Sequence, residues 1–310
     1  MSHLKLNAEY YNFKSPSSLS GIAKLKAAFP KIPRKDLKLF LEAQDVYTKH
    51  KFTKTKFQRR KVMSIRKNYL WQADLVDVQK FSRFNKGVKF LLTVIDVLTR
   101  YAYVVCLKNK TASEVTTAFS TIISDKNKPK YLESDLGKEF VNKQFKDFLN
   151  TNNITHYHNY SNFGACLVER FNQTLQSKIS KYFTYTGSKN YITILPQLVD
   201  SYNNSKHSAT KFTPSSITKY NEMDAWMNSY EDLFNTKWKT KPDYKLNDIV
   251  RVKKPKSTFE KGYTSRFSDE LFLIQEIVHG HPIMYRIKDF HNVPLNGLFY
   301  SQELSKVNTE

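Results

Sequence analysis

The chain reads as an α/β protein whose centre is a mixed sheet covered on both faces, with a helical region before it and a small β-barrel after it. Three observations predict this. Between Tyr69 and Leu107, short runs rich in β-branched and aromatic residues follow one another directly, broken only at Asn85-Lys86-Gly87 and Leu98-Thr99-Arg100, which is a hairpin pattern. From Thr111 to Asn159 such runs alternate with stretches of helical periodicity, and strands that pass from hairpins to alternation with helices make a sheet buried on both sides. From Tyr244 onward IVRVKK, DELFLIQEIV, MYRIKDF and GLFYSQEL are punctuated by Gly262, Gly280, His281-Pro282 and Asn296-Gly297, as in a small barrel.

Taken in order, residues 1–18 are polar and aromatic with a Ser-Pro-Ser-Ser break, and read as a loosely held arm. Two helices follow. Ser18 or Ser20 is placed to cap the first, which carries Ile22, Leu25 and Ala28 and ends at Pro30; Pro33 opens the second, with Leu37, Leu39, Phe40, Leu41 and Val46. The basic tail KHKFTKTKFQRRKVMSIRK then makes this region either a DNA-contacting helix-turn-helix or a helical cap with solvated lysines. Strands are expected at Tyr69–Val78, Lys89–Thr99, Tyr101–Leu107, Lys130–Asp135 and Ile154–Asn159, with helices at Thr111–Ser124 and about Glu139–Asn150. After the polar loop HNYSNFGA, the residues Leu167, Val168, Phe171, Leu175 and Ile179 recur at helical spacing. A further helix is expected around Tyr191–Asn204, and a loosely apolar helical linker carries Trp226, Met227, Leu233, Phe234 and Trp238. The boundaries are residues 1–68, 69–205, 206–242 and 243–310.

Charge narrows the partner. The 310 residues hold 50 Lys and Arg against 28 Asp and Glu, a formal charge of +22, and residues 1–68 alone contribute 17 bases against 4 acids. Such an excess points to a polyanion, and because no apolar run approaches about 18 residues, nucleic acid is preferred over a membrane partner. The first residues, MSHLKLNAEYYNF, lack the apolar core of a signal peptide. Cys106 and Cys166 are the only cysteines and stand in no paired spacing, so neither disulfides nor a cysteine zinc site is expected.

Three acids stand out. Asp74 closes an apolar run in YLWQADLVDV, Asp135 closes another in KYLESDLGKEF, and Glu169 sits in the first turns of the helix after the polar loop. Two strand-end carboxylates and one on a helix form an oxygen set suited to a hard divalent cation. Asp77, Asp96, Glu133 and Glu139 compete for the role, but Asp77 lies three residues from Asp74 and so points to the opposite side of a regular strand.

The phrases WQADLVD, FLLTVIDVLTRYAYV, SDLGKEF, VERFNQTL and SYNNSKHSATKFTPSSI resemble the catalytic core of retrovirus-like DDE integrases, most closely those of Maverick/Polinton elements and virophages. FEKGYTSRFSDELFLIQEI is similar to their SH3-like C-terminal domain. The resemblance implies a ribonuclease-H-like core in which Asp74, Asp135 and Glu169 hold two Mg²⁺ ions, with Mn²⁺ as a substitute. It implies trimming of element ends and their joining to target DNA, double-stranded DNA as partner, a homo-oligomer, and an intracellular setting in the host nucleus, a viral factory or a virion. Arg59, Arg60, Lys61, Arg170, Gln173, Lys178, Arg251 and Lys253 are the candidate DNA contacts. Three departures stand against it: no His/Cys zinc module precedes the core, the Asp135–Glu169 spacing is slightly short, and Gln173 replaces a base common in the family. Two alternatives remain: a nuclease of the same fold that cuts without joining, and a non-catalytic DNA-binding descendant.

Overall fold

The computed structural model describes residues 2–53, 56–158, 165–255 and 263–308. The chain divides into two compact units, one of Met1–Arg60 with Lys237–Glu310 and one of Lys61–Thr236. The first unit opens with α1 (Ser2–Tyr10), α2 (Ile22–Ala28), α3 (Arg34–Ala43) and α4 (Asp45–His50). The expected loose arm is therefore in part a packed helix. Leu6 and Tyr10 lie one turn apart on α1 and are buried with Leu25, Leu37, Phe40 and Leu41, so the pair covers a core that α2 and α3 alone leave open. The cap of α2 also differs from expectation: Gly21 holds that position, and the Ser20 hydroxyl turns back to the Ser17 carbonyl at 2.6 Å.

In the second unit, β1 (Leu70–Asp77), β2 (Phe90–Asp96) and β3 (Ala102–Leu107) are antiparallel neighbours, while β4 (Tyr131–Ser134) and β5 (Thr155–His158) run parallel to β1. The order β3-β2-β1-β4-β5 is a mixed sheet. Period-two alternation explains the all-apolar look of β2, which is buried throughout. Phe90, Leu92 and Val94 join Trp71, Phe119 and Phe145 on the side of α5 (Ala112–Ile122) and α6 (Lys143–Thr151). Leu91 and Ile95 face Val168, Phe171 and Leu175 of α7 (Cys166–Thr186), with α8 (Leu195–Asn203) beside it. Each such side chain withdrawn from water contributes about 1.5–3 kcal/mol. Helix α6 starts later than expected because Asn142 is its cap, its Oδ1 accepting from the Phe145 amide at 2.8 Å. Gly187, at φ 67°, ends α7 in the left-handed conformation that costs glycine nothing. In the expected linker only α9 (Glu222–Asn235) is α-helical among the described residues; the hydroxyl of its buried Tyr230 accepts from the Ser64 amide.

The first unit is completed by β6 (Ile249–Val252), β7 (Phe272–Val278), β8 (Met284–Lys288), β9 (Phe299–Tyr300) and β10 (Leu304–Val307). They form an antiparallel sheet in the order β10-β6-β7-β8-β9 around Val250, Ile274, Tyr285, Ile287 and Leu304. The basic tail joins this sheet through Arg60, whose guanidinium donates to the carbonyls of Val278, His279 and Pro282. No described helix is long and apolar enough to cross a membrane.

Candidate active site

The site is assembled by one glutamine that the sequence pattern did not single out. Gln72 and Asp74 share a side of β1, and on that side Gln72 Oε1 accepts from the amides of Leu167 at 2.9 Å and Val168 at 3.2 Å. Its Nε2 donates to Glu133 Oε2 at 2.8 Å, across the β1–β4 pairing. A strand side chain thus supplies acceptors that the first turn of α7 lacks, and the helix start is fixed against β1. Glu169 then stands two residues beyond Leu167, and Asp74 two residues beyond Gln72.

Asp74 and Glu169 line one open pocket of about 310 Å³, together with Asn172, Gln173, Gln176 and Asp77. Asp74 Oδ1 accepts from the Leu75 amide and Oδ2 from Asn172 Nδ2, both at 2.8 Å. Burial is the main reason that its carboxyl is pushed up to about 6, and the charges of Asp135 and Glu169 add to the shift. Asn172 Oδ1 is buried with no donor among the described residues. Asn172 lies three residues after Glu169, and that one-turn spacing is the signal that could have found it. Asp135 is exposed just beyond β4; its Oδ1 accepts from the Gly137 amide at 3.0 Å and its carbonyl from the Ser134 hydroxyl at 2.9 Å. His156 braces this turn through Ser134 Oγ at 2.9 Å, its pKa lowered to about 4 by burial and then by His158.

The donor chemistry fits a hard cation, because Asp74 and Glu169 bring carboxylate oxygens to one open pocket. Asp135 and Glu169 are both exposed, and among the described residues no three His, Cys, Asp or Glu side chains are grouped closely enough to hold a metal ion. Residues 159–164, which make up most of the expected active-site loop, lie outside the described residues. Of the competing acids, Asp96 is engaged elsewhere, Glu133 holds Gln72, and Asp77, expected on the opposite side of the strand, lines the same pocket as Asp74. Asp96 is buried and accepts from the amides of Asn68 and Thr99, the Thr99 hydroxyl and Trp71 Nε1, which fastens the β2–β3 turn. Asp77 is exposed at the pocket rim, where its carboxylate accepts from the Gln79 amide and side chain.

The candidate DNA contacts divide by exposure. Arg170 and Gln173 are exposed on α7, Lys178 is half-buried with Nζ 3.0 Å from Ser201 Oγ, and Lys253 is half-buried at the end of β6. Arg59 lies over the Phe57 ring and 4.0 Å from Glu303, and Lys61 is paired with Asp232 and the Ser229 carbonyl. Two positions are otherwise employed. The Arg60 guanidinium is taken up by backbone carbonyls of its own unit, as described above. Arg251 is buried and donates to Asp45, Thr48 and the carbonyls of Ser268 and Asp269, so its donors are turned inward rather than toward a phosphate.

Residues 65–161 match the family described as the integrase core domain, a stretch that contains Asp74 and Asp135 and stops short of Glu169. The chain is 28% identical over 200 residues to a transposon-derived protein of Caenorhabditis elegans, covering 63% of this chain and 66% of that protein. It is 30% identical over 118 residues to the Gag-Pro-Pol polyprotein of human T-cell leukemia virus 3, strain 2026ND, which is 37% of this chain and 8% of that protein. In structure it is similar to a chain of the simian T-cell lymphotropic virus intasome in complex with PP2A regulatory subunit B56 gamma. The TM-score is 0.62 at 15% identity, over 93% of this chain and 99% of that one. The likeness to that intasome chain is one of fold, a mixed sheet under helices with a helical region before it and an antiparallel sheet after it, and the integrase core match falls on the mixed sheet.

Proposed function

We propose that this chain is a divalent-metal-dependent DNA integrase that trims the ends of an element and joins them to target DNA. The observation that carries the reading is the shared pocket of Asp74 and Glu169, in which Asp74 feels the charges of Glu169 and Asp135. Asp74, Asp135 and Glu169 are the proposed holders of two Mg²⁺ ions, with Mn²⁺ as substitute. When bound, the ions activate the attacking oxygen and neutralise phosphate charge. Gln72 keeps Glu169 in place, and Asn172 orients the Asp74 carboxylate. Arg170 and Gln173, exposed on the helix that carries Glu169, and Lys178 farther along it are proposed to bind the DNA end, with Lys253, Arg59 and the lysines of the N-terminal helices holding flanking phosphates.

The kinship with Maverick/Polinton and virophage integrases is proposed on VERFNQTL and SYNNSKHSATKFTPSSI, and it places the action in a host nucleus or viral factory. Joining two ends requires two sites at fixed spacing, so the active form is a homo-oligomer on DNA. Incubation with candidate terminal duplexes and Mg²⁺ tests the proposal: trimmed and joined products are expected. Cleavage without joining would favour a nuclease, and binding without either would favour a non-catalytic descendant.

A further inference from the structure

On the sheet of the second unit, Tyr69 immediately precedes β1, Tyr131 opens β4, and Tyr157 lies on β5. Tyr131 pairs in register with Thr155, so Tyr157 is two residues farther along and points to the same side. The rings follow one another across the sheet, with centroids 5.1 Å apart from Tyr69 to Tyr131 and 6.5 Å apart from Tyr131 to Tyr157. Glu133, the partner of Gln72, shares this side, so it is the side on which Asp74 lies. The helices on it, α7 and α8, pack on β1, β2 and β3. Lys130 Nζ sits 5.7 Å from the Tyr69 ring and 5.3 Å from the Tyr131 ring, and the Arg66 guanidinium is 5.9 Å from Tyr69. Both cations are exposed, and neither has a carboxylate partner among the described residues.

Cross-strand aromatic pairs brace a sheet, but that role leaves the two exposed cations over the rings unexplained. Rings held by their neighbours, accompanied by cations, are the elements that bind unpaired nucleotides, since every base has a π-face and every nucleotide a phosphate. We propose that Tyr69, Tyr131 and Tyr157, with Lys130 and Arg66, form a stacking surface for a single-stranded stretch of DNA. β4 runs from Tyr131 to Ser134, with Asp135 next, so a strand lying along it leads from the rings to the acid site. The choice of DNA rests on the function proposed above, whereas the stacking chemistry does not.

The test uses the full chain in chelator, so that no cleavage intervenes, with a fluorescein-labelled oligothymidylate and a blunt duplex of equal length. Tyr131→Ala is expected to weaken oligothymidylate binding roughly tenfold, with duplex binding changed less than about twofold and Tyr131→Phe near wild type. Lys130→Gln should weaken the single strand more than the duplex. In the wild-type protein, photo-crosslinking of an oligonucleotide carrying 5-iododeoxyuridine should map to Tyr69, Tyr131 or Tyr157, a readout that needs no variant to fold. Crosslinks confined to other residues, or equal losses on both DNAs, would overturn the proposal. Metal-dependent joining is scored separately: a chain that binds the oligonucleotide as expected but never joins DNA keeps the stacking surface and loses the integrase reading.

Discussion

Replacing Asp74 by Asn should make the protein more stable while it destroys the activity proposed for it. The carboxyl is raised from 3.8 to about 6, and that step corresponds to about 3 kcal/mol of destabilisation when it is charged. Solvent screening at a half-buried group reduces the expected gain to about 1–2 kcal/mol. Local hydrogen bonding favours the same outcome. An Asn at position 74 still offers an oxygen to the Leu75 amide, and its new amide can donate to the Asn172 Oδ1 that lacks a donor, once the Asn172 amide turns over. The sign with pH follows from the raised value. Wild-type Asp74 is charged in both folded and unfolded chains above pH 6, where the variant's advantage is full; it is protonated in both below 3.8, where the advantage is gone. Thermal melting at pH 7.5 in chelator should place Asp74→Asn about 2–8 °C above wild type, and melting near pH 4 should bring the two together. Adding Mg²⁺ should raise the melting temperature of wild type and not of the variant. A variant that melts below wild type at pH 7.5 would refute the picture of a carboxylate held charged against its burial.

Gln72→Leu removes two hydrogen bonds from the start of α7 and the donor to Glu133, so it should cost about 2–4 kcal/mol in urea denaturation. Joining should fall further than this loss of fold accounts for, because Glu169 is no longer held beside Asp74. Arg251→Gln should destabilise the protein by about 1–3 kcal/mol in the same assay, by taking donors from the carbonyls of Ser268 and Asp269, while Asp45 keeps Lys49. At a temperature where the variant stays folded, its DNA affinity should match wild type. Lys24, Lys31, Arg34 and Lys35 are exposed, and changing all four to Gln should flatten the slope of log affinity against log salt, by up to about 0.9 for each phosphate that is no longer neutralised. An unchanged slope would remove the N-terminal helices from the DNA-binding surface.

The core was legible because its residues obey simple periods. The runs around Trp71, Leu92 and Val104 could only be strands, and Val168, Phe171, Leu175 and Ile179 could only be one face of a helix, so β1 and β3 fall within one residue of expectation at each end, while β2 stops three residues early, at Asp96. Where expectation failed, the deciding partner was distant in sequence or very local. Leu6 and Tyr10 make a helix of the expected arm because α2 and α3 leave a place for them. The short strand β10 carries only a four-residue pattern and is defined by its pairing with β6. Asn142 moved the start of α6 by competing as a cap against the preceding turn. At the candidate site the sequence context proposes the three acids, of which Asp74 and Glu169 line one pocket, whereas Gln72 and Asn172 draw their meaning from bonds that reach across from β1 to α7. Composition marked Arg60 and Arg251 as DNA contacts because a positive charge in a sequence does not reveal which way its donors point.

Joint action of Asp74, Asp135 and Glu169 on DNA through bound metal calls for a joining assay in Mg²⁺ on wild type, Asp74→Asn, Asp135→Asn, Glu169→Gln and Asp77→Asn, each paired with its DNA affinity in chelator. The first three variants should lose trimming and joining together while binding DNA as wild type does. Asp77→Asn should keep most of its activity, because the Asp77 carboxylate is occupied by Gln79. Activity retained in all four variants would contradict the integrase reading, and a dead Asp77→Asn beside an active Asp74→Asn would contradict the assignment of the site.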